Sequence, residues 1–375
     1  EEYCSDKKVN YIEVKLKDKK ENVNLAKSDN INTYTPLDIL LRMDNSREVS
    51  KAIDNIDALV ISGGGWINNF WAQRLDKLFK IMIPIFVAKQ KQKEIVFTAN
   101  GIGPFDKSIE LYRYFFGYIR NSTIAIRDNL CSMSHLLEVG VQSKYVYNIP
   151  DDLYLINPDL LRKEPHFFIQ KKDYIVMETF YSMEELEMHK EQLIHFSKVL
   201  YEKYGFTIVL MPFDLVQYGS DQAKYLYNIL HKAELVNIDA ISYLPIQDAY
   251  QIIQNAKMMV TSRYHGLVLS LCVETPVVFR LYDKLGDLRY SYNKGLGMLR
   301  TAFDGISFCE SDFLQRDLLV ILENIEVNLH DIIAKQKGIY STQKFKKNKE
   351  RLKELRDIYL KNILCRSDSP HTREE

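Results

Sequence analysis

The sequence predicts an α/β protein made of two successive doubly wound domains, each with a parallel sheet between helices, followed by C-terminal helices. Short apolar runs alternate with amphipathic segments of about ten or more residues, which is typical of parallel strands joined by helices. This alternation stops near residue 153 and starts again at Tyr174. The chain has 375 residues, more than one hydrophobic core usually covers, so two domains are expected.

The composition is that of a globular protein, and it excludes several classes of function. Hydrophobic residues make up 46% of the chain, with 15 Gly and 10 Pro, so a disordered chain is excluded. Lys plus Arg equals Asp plus Glu, at 50 each, so no net positive field attracts nucleic acid. The apolar run Ile81–Ala88 contains Pro84 and is too short to span a bilayer.

The five cysteines are scattered and form no CxxC pair, which indicates a reduced cytoplasmic chain rather than a disulfide or zinc framework. The chain begins at Glu1, without Met and without a signal-like apolar segment, which is compatible with a piece of a longer protein. We expect no metal, because His189 and His195 lack the spacing of a metal motif and are better explained by an exposed helix face. The expected location is the cytoplasm, and association with the inner face of the membrane is left open.

The first domain is expected to cover residues 1–152. Its predicted strands are apolar runs that end in polar or glycine-containing turns, at Val9–Leu16, Ala58–Ile61, Ile95–Ala99, Thr123–Ile126 and Tyr145–Ile149. Helical spacing of apolar residues predicts helices at Leu37–Met43, Val49–Ile56, Trp66–Ala88 with a break near Pro84, Ile109–Ile119 and Leu130–Glu138. Gly140 follows the last of these helices directly and gives it a C-terminal stop.

A connector is expected at residues 153–172, where Pro158, Pro165 and a Lys-Lys pair interrupt the pattern. The second domain then covers residues 173–310. Its predicted strands are Tyr174–Met177, Thr207–Met211, Leu235–Ile238, Met258–Val260 and Val277–Leu281. Its predicted helices are Glu184–Tyr204, Asp221–Ala233, Gln247–Asn255 and Leu267–Val273. Residues 311–375 are expected to form helices and a tail, with one helix at Phe313–Ile325 and a Lys-rich one reaching Leu364. Two such domains with C-terminal helices predict a GT-B-type arrangement, in which the ligand binds in the cleft between the domains.

Four turns that follow predicted strands of the first domain carry residues suited to binding. They are Ser62-Gly63-Gly64-Gly65, Gly101-Ile102-Gly103-Pro104, Arg127-Asp128 and Pro150-Asp151-Asp152. Glycines let backbone N–H groups approach an anion, and a guanidinium binds carboxylate or phosphate in a bidentate manner. The glycine turns and the Arg127-Asp128 turn also have structural explanations: tight turns for the glycines, favoured at Gly101–Pro104, and an exposed charged pair for Arg127 and Asp128.

The segment Met258–Pro276 contains the most informative of the predicted strand ends in the second domain. A short apolar strand passes through Ser262-Arg263-Tyr264-His265-Gly266 into an apolar helix. The N-terminus of such a helix carries unpaired N–H groups and a partial positive charge, and ligands bind at this edge of open α/β sheets. A solvent-facing Arg and a core His remain the structural alternative. Taken with the other strand ends, the segment predicts a small anionic substrate held by Arg127 and Arg263, with His265 carrying a proton.

These segments resemble the polysaccharide pyruvyl transferase family. The resemblance rests on ISGGGWINNF, NGIGPF, AIRD, IPDDLYLI and, above all, VTSRYHGLVLSLCVETPVV followed by LYDK, in the family's order over most of Asp57–Gly297. It implies transfer of the pyruvyl group of phosphoenolpyruvate onto two hydroxyls of a sugar. The product is a pyruvate ketal in a surface polysaccharide such as an exopolysaccharide or capsule, or in its lipid-linked precursor.

The resemblance also implies which residues form the site. Arg127, Arg263 and His265 correspond to the family's phosphoenolpyruvate-binding arginines and its histidine. The other expected substrate contacts are Ser262, Tyr264, Gly266, Gly63, Gly64, Gly65, Gly101, Gly103, Asp128 and Asp151. Tyr264 stands where the family often has an apolar residue such as Leu. Asp128, Asp151 and Asp152 stay open as candidates for the base, and no cofactor is expected. Trp66, Tyr264 and Tyr282 are candidates to stack on a sugar.

One departure from the family concerns the beginning of the chain. The family opens with a glycine-rich strand-turn-helix that contains Asn and Asp, and nothing before Val9 supplies it. Either that unit is lost or the first domain, expected to hold the acceptor, is built differently. Two alternatives stay open: a GT-B glycosyltransferase that uses a nucleotide sugar, and a catalytically degenerate binding protein of the same fold. The Lys-rich segment 335–353 could contact anionic lipid headgroups, although a solvated helix face explains it more simply.

Overall fold

The computed structural model describes residues 46–161, 164–170, 173–178, 182–213, 219–241, 243–284 and 286–366. The predicted strand Val9–Leu16, the predicted helix Leu37–Met43 and the departure at the start of the chain lie outside these residues. The described chain divides into two compact units. The first unit ends at Pro150 and resumes at Leu352, whereas the second runs over Asp151–Arg351.

Within the described residues, the first unit contains a sheet of four parallel strands in the order β1-β2-β3-β4. Their bounds are Ala58–Ile61, Glu94–Asn100, Thr123–Ile126 and Val146–Asn148. The helices are α1 Ser46–Asp54, α2 Asn69–Ala72, α3 Leu75–Gln90, α4 Ile109–Tyr118 and α5 Ser132–Glu138. Strand β2 is buried over all but its first residue, and its Phe97 packs against Phe115 of α4 in the main core. Parallel strands joined by helices therefore place all four strand ends at one edge of the sheet.

The region predicted as a single helix over Trp66–Ala88 differs from the prediction. It forms α2 and α3, and Pro84 lies inside α3 without ending it. The separate start of α2 is explained by Asn68, whose side chain accepts a hydrogen bond from the Trp71 N–H (3.1 Å) and donates one to the Gly65 carbonyl (2.7 Å). Because this cap satisfies the first turn, a helix starts after the glycine turn and not at Trp66.

The described part of the second unit contains a sheet of six parallel strands in the order β10-β9-β8-β5-β6-β7. Their bounds are β5 Tyr174–Met177, β6 Thr207–Leu210, β7 Ala233–Leu235, β8 Met258–Thr261, β9 Val277–Arg280 and β10 Leu314–Gln315. Helices between them are α6 Met183–Met188, α7 Lys190–Tyr204, α8 Gly219–Ile229, α9 Ile246–Asn255, α10 Tyr264–Cys272 and α11 Arg289–Ala302. Strands β5, β6 and β8 are buried at every position, which explains their uninterrupted apolar sequences.

Several bounds in this unit differ from those predicted. The helix predicted over Glu184–Tyr204 is two helices, α6 and α7, which meet at His189. The helix predicted to reach Ala233 ends at Ile229, because Lys232 adopts a left-handed conformation (φ 51°) that turns the chain into β7. The strand predicted at Leu235–Ile238 is therefore displaced to Ala233–Leu235.

Two long helices close the described chain, α12 at Leu318–Tyr340 and α13 at Gln343–Arg366. Asp317 caps α12 by accepting from the Leu319 N–H (2.8 Å), so the helix begins later than the predicted Phe313. Residues of α13 up to Arg351 belong to the second unit, where the Asn348 amide donates to the Thr301 carbonyl (2.9 Å). From Leu352 onward the helix belongs to the first unit. The described chain thus has the predicted architecture of two parallel α/β sheets with C-terminal helices.

Candidate active site

The end of β8 and the start of α10 bring the predicted Ser262-Arg263-Tyr264-His265-Gly266 segment to the edge of the second sheet. Thr261 and Ser262 are fully buried, and Arg263 is the N-cap residue of α10, with extended backbone (φ −90°, ψ 129°). Its side chain is 20% exposed, and His265 lies exposed on the first helical turn. The turn therefore presents a cationic group and an imidazole beside the N–H groups that begin the helix.

Gly266 lets the first turn of α10 pack directly against the strand that precedes it. A Cβ at this position would lie 2.4 Å from Thr261 Oγ1 and 2.8 Å from Met259 Cε. The Thr261 hydroxyl in turn accepts a hydrogen bond from the Arg263 N–H at 3.0 Å. Gly266 is thus required by close packing at the turn, and its predicted contact with substrate stays a prediction.

Glu178 contacts this turn and was not predicted from the sequence. It follows β5 directly and is 1% exposed. Its Oε2 accepts from the Ser262 N–H at 3.2 Å, and its Oε1 lies 3.6 Å from Arg263 Nε. A charged residue directly after an entirely apolar strand is the only sequence signal that points to it. Because β5 and β8 are neighbours in the sheet, a separation of 84 residues becomes a contact.

The aromatic residues around the turn are Tyr264 and Tyr282. The Tyr264 ring makes an edge contact with His265 (5.9 Å between centroids), and its hydroxyl lies 3.7 Å from Met298 Sδ. Burial raises the pKa of the Tyr282 phenol well above its usual range; Tyr290 and Glu178 add to this rise, and Arg263 opposes it. The Tyr282 side chain is therefore within electrostatic reach of the Arg263–Glu178 pair.

A cavity of about 730 Å³ opens at the end of β9, the strand beside β8. Tyr282 contributes to its lining, together with the paired side chains Arg280 and Glu185 and the pair Arg316 and Asp283 (2.8 Å). Its volume lies in the range of small-molecule sites, about 300–1,000 Å³. Neither Arg263 nor His265 is among the lining residues described, so the cavity adjoins the turn without containing it.

In the first unit, the Arg127 side chain lies directly against Gly101. Arg127 follows β3 and is 3% exposed, and a Cβ on Gly101 would lie 2.7 Å from its Nη2 and 2.8 Å from its Nε. The other turns are equally close-packed: a Cβ on Gly63 would lie 2.8 Å from the Ala99 carbonyl oxygen, and Gly103 (φ 73°) faces the His135 ring. The glycines at these positions thus leave space for the neighbouring backbone and for the Arg127 side chain.

Asp128 has a clear structural task at the start of α5. Its Oδ1 accepts from the N–H groups of Cys131 (2.9 Å) and Ser132 (3.1 Å), and its Oδ2 accepts from the Ser132 hydroxyl. The same hydroxyl accepts from the Ile102 N–H at 3.0 Å, which joins this turn to the Gly101–Pro104 turn. Asp128 therefore holds the loops around Arg127, and its contact with substrate or role as a base stays a prediction.

The remaining predicted residues are placed as follows. Asp151 is buried, and its Oδ1 accepts from the Leu153 N–H at 3.1 Å. Gly64 packs against Trp66, and the Gly65 carbonyl accepts from the Asn68 amide. Arg127 belongs to the first unit and Arg263 to the second, so their joint action on one substrate stays a prediction.

Within the described residues, no group of three or more His, Cys, Asp and Glu side chains is placed to hold a metal ion. None of the described helices has the length and apolarity needed to cross a membrane.

A sequence model of one family, described as polysaccharide pyruvyl transferase, matches residues 2–284. That range contains every site residue predicted from the sequence, and Glu178 as well. No curated protein matches the sequence.

Solved structures with similar folds include three proteins described with UDP or a UDP-sugar. The first, assigned as a UDP-N-acetylglucosamine 2-epimerase from Listeria monocytogenes, has 13% identity and a TM-score of 0.54, covering 88% of this chain and 82% of its own. The enzyme from Neisseria meningitidis bound to UDP-GlcNAc has 10% identity and a TM-score of 0.52, covering 87% and 81%. MnaA from S. aureus with UDP has 11% identity and a TM-score of 0.52, covering 88% and 82%. These similarities concern the fold alone, and they confirm the predicted GT-B fold class.

Proposed function

Because the chain belongs to the polysaccharide pyruvyl transferase family, we propose that it transfers the pyruvyl group of phosphoenolpyruvate onto two hydroxyls of a sugar. The product is a pyruvate ketal in a surface polysaccharide or its lipid-linked precursor. The observation that carries this proposal is the turn between β8 and α10, where Arg263 caps the helix and His265 lies exposed on its first turn.

The charge of the substrate matches these residues. Phosphoenolpyruvate carries a carboxylate and a phosphate, and both are bound well by guanidinium groups and by the N–H groups of a helix start. Arg263 and the start of α10 supply one such binding site in the second unit, and Arg127 supplies a guanidinium in the first. We assign Arg263 and Arg127 to charge stabilisation, which is usually a larger contribution to catalysis than proton transfer.

The proposed reaction requires a proton donor and two hydroxyl nucleophiles. His265 gives a proton to the methylene carbon of phosphoenolpyruvate, which makes C2 an oxocarbenium-like electrophile. One sugar hydroxyl attacks C2 and returns its proton to His265. The bond between C2 and the phosphate oxygen then breaks, and the second hydroxyl attacks C2 and closes the ring while its proton leaves with phosphate. The exposure of His265 suits this exchange, because both proton transfers need a reachable imidazole.

Two substitutions test the site assignment. His265→Ala is expected to lower kcat by about 100- to 10,000-fold, the usual contribution of a positioned acid. Arg263→Ala is expected to lower it by about 100- to 1,000-fold through loss of charge stabilisation. Phosphate release and ketal product are measured with phosphoenolpyruvate and a panel of sugar acceptors, after circular dichroism has confirmed folding.

Matched variants separate these effects from general damage. His195→Ala removes an exposed histidine on α7, and Arg351→Ala removes an exposed arginine paired with Asp304. Both are expected to keep wild-type activity. Full activity in a folded His265→Ala or Arg263→Ala protein contradicts the assignment of that residue.

Ligand-dependent stability distinguishes the proposal from its alternatives. Phosphoenolpyruvate at 100 times its Kd is expected to raise the free energy of unfolding by about 2.7 kcal/mol, whereas a nucleotide sugar is not. Thermal unfolding with each ligand measures this difference. Stabilisation by UDP-sugars alone favours a sugar-nucleotide enzyme, and binding of phosphoenolpyruvate without phosphate release in any acceptor mixture favours a degenerate binding protein.

A further inference from the structure

Glu178 is a buried carboxylate with no role in the reaction proposed above. It is 1% exposed, and its N–H donates to the Val260 carbonyl at 2.9 Å, so the neighbouring strand β8 fixes its backbone. A carboxylate that leaves water keeps its charge only where donors and cations replace the hydration. The contacts of Glu178 therefore indicate which donors and cations stabilise its charge.

Three consecutive residues at the end of β8 surround this carboxylate. The Ser262 N–H donates to Oε2 at 3.2 Å, and Thr261 Oγ1 lies 3.5 Å from the same oxygen. Arg263 Nε lies 3.6 Å from Oε1. The Arg263 side chain is 20% exposed whereas that of Glu178 is 1% exposed, so the carboxylate is buried more deeply than the guanidinium that it approaches.

We propose that Glu178 is the positioning residue of the anion site, acting through Arg263 rather than on the substrate. A guanidinium carries five N–H donors in one plane, more than a single carboxylate can engage. By approaching Nε, Glu178 sets the direction in which that plane meets a bound carboxylate or phosphate. This inference rests on the proposed function for its kinetic part, because Arg263 is taken to stabilise the charge that develops during transfer.

The negative charge of Glu178 has a second, opposite effect on the same ligand. A buried carboxylate close to the guanidinium repels an anion that the guanidinium binds, so it weakens the binding of phosphoenolpyruvate and of the released phosphate. Glu178 thus favours a well-oriented transition state and rapid product release at the expense of ground-state affinity. Neutralising it should tighten anion binding by roughly tenfold, as expected for unit charges a few ångströms apart in a partly exposed site.

The test is Glu178→Gln, which keeps an oxygen to accept from the Ser262 N–H but carries no charge. We expect the Kd of inorganic phosphate, measured by calorimetry at fixed ionic strength, to fall by roughly tenfold. We expect kcat to fall by about tenfold or more, because the guanidinium loses its orienting partner. Glu178→Asp keeps the charge and withdraws the carboxylate by one methylene group. It should bind phosphate within about twofold of wild type while kcat still falls.

Two further proteins serve as controls. Asp248→Asn removes another fully buried carboxylate of this unit, one that accepts from the N–H groups of His166 (2.6 Å) and Phe167 (2.9 Å). It is expected to change phosphate affinity by less than about twofold, because its contacts do not include Arg263. In an Arg263→Ala background, Glu178→Gln should no longer tighten phosphate binding, since coupled residues are non-additive.

The possible results divide cleanly. Tighter phosphate binding with a lower kcat supports the proposal. Unchanged or weaker phosphate binding in Glu178→Gln overturns it, whether accompanied by loss of stability, as for a structural carboxylate, or by loss of one limb of the pH profile, as for a general base. If Glu178→Gln does not fold, a Glu178→Asp protein with wild-type kcat overturns the proposal. Phosphate binding can be measured without turnover, so it tests the effect of Glu178 on anion affinity even if the wild-type protein makes no ketal. Absence of ketal from the wild-type protein contradicts only the proposed function.

Discussion

The Arg127 guanidinium lies in space that is open because Gly101 has no side chain. A Cβ on residue 101 would lie only 2.7 Å from Nη2 of the Arg127 guanidinium, and Arg127 is almost fully buried. The orientation of Arg127 is therefore determined by the neighbouring turn as much as by its own strand. The link from Ile102 through Ser132 to Asp128 holds that turn in place.

Gly101→Ala tests this relation at the level of one methyl group. We expect it to displace the guanidinium and to lower kcat by about 10- to 100-fold, because a misplacement of about 1 Å is costly in a binding site. Gly117→Ala in α4 is the matched control, since nothing lies within 4 Å of its added Cβ. This control should stabilise the fold by about 0.5–1 kcal/mol and leave activity unchanged. Wild-type kcat in a folded Gly101→Ala protein contradicts the role given to Arg127.

The residues at the strand ends could be predicted because their chemistry is local. Their placement follows from a short apolar run in the sequence, whereas the anion site that an Arg and a His predict there stays a proposal. Glu178 could not be predicted in this way. Its importance depends on β5 pairing with β8, a long-range relation that no short segment of sequence encodes.

At the scale of the elements, buried strands were the most predictable. Ala58–Ile61, Thr123–Ile126 and Tyr174–Met177 have the predicted bounds. Burial on both faces explains the uninterrupted apolar run of Tyr174–Met177, which is buried at every position, whereas Val60 in the first of these strands is 51% exposed. Helix α11 at Arg289–Ala302 was not predicted. Its Gly295 lowers helix propensity, yet a Cβ there would lie 2.9 Å from Phe279, so close packing against β9 explains the glycine. Tertiary contacts thus override local preference in this helix.

Helix α13 makes a contact with the first sheet that can be tested directly. The Tyr359 hydroxyl donates to the Phe97 carbonyl at 2.6 Å, and its ring lies 5.2 Å from that of Tyr147. Tyr359→Phe is expected to lower the free energy of unfolding by about 1–2 kcal/mol, because it removes a buried hydrogen bond and keeps the ring. Tyr147→Phe, at an exposed position, should change it by less than about 0.5 kcal/mol. Urea denaturation measures both, and equal losses would argue against a specific role for the hydroxyl.

At the scale of the whole molecule, the buried tyrosine phenols predict that the folded protein loses stability at alkaline pH. Burial raises the pKa of Tyr174 from 10.0 to about 12, with a smaller contribution from Glu234, and its hydroxyl donates to the Ile252 carbonyl. Burial likewise raises the pKa values of Tyr112, Tyr154 and Tyr340 well above their usual range. Because these phenols are harder to ionise when folded, their stabilising effect is complete below pH 10 and is lost as the pH rises toward the folded pKa values.

We therefore expect the free energy of unfolding to be constant with respect to these groups up to about pH 10 and to fall between about pH 10 and 12. Tyr174→Phe should be less stable than wild type at pH 8, yet lose less stability over the alkaline range. Urea denaturation at a series of pH values measures the two slopes. A variant with the same slope as wild type contradicts the contribution assigned to Tyr174.

The return of the chain to the first unit at Leu352 bears on how this protein is made. A ribosome synthesises residues 46–150 early, but Tyr359, which covers Val96, Ala125 and Ile149 of the first sheet, is among the last described residues to emerge. Domains generally fold as units during synthesis, starting from the N-terminus. Here the first unit stays incomplete until Tyr359 has been synthesised, so the sheet that carries Arg127 acquires this cover after the sheet that carries Arg263 has been synthesised.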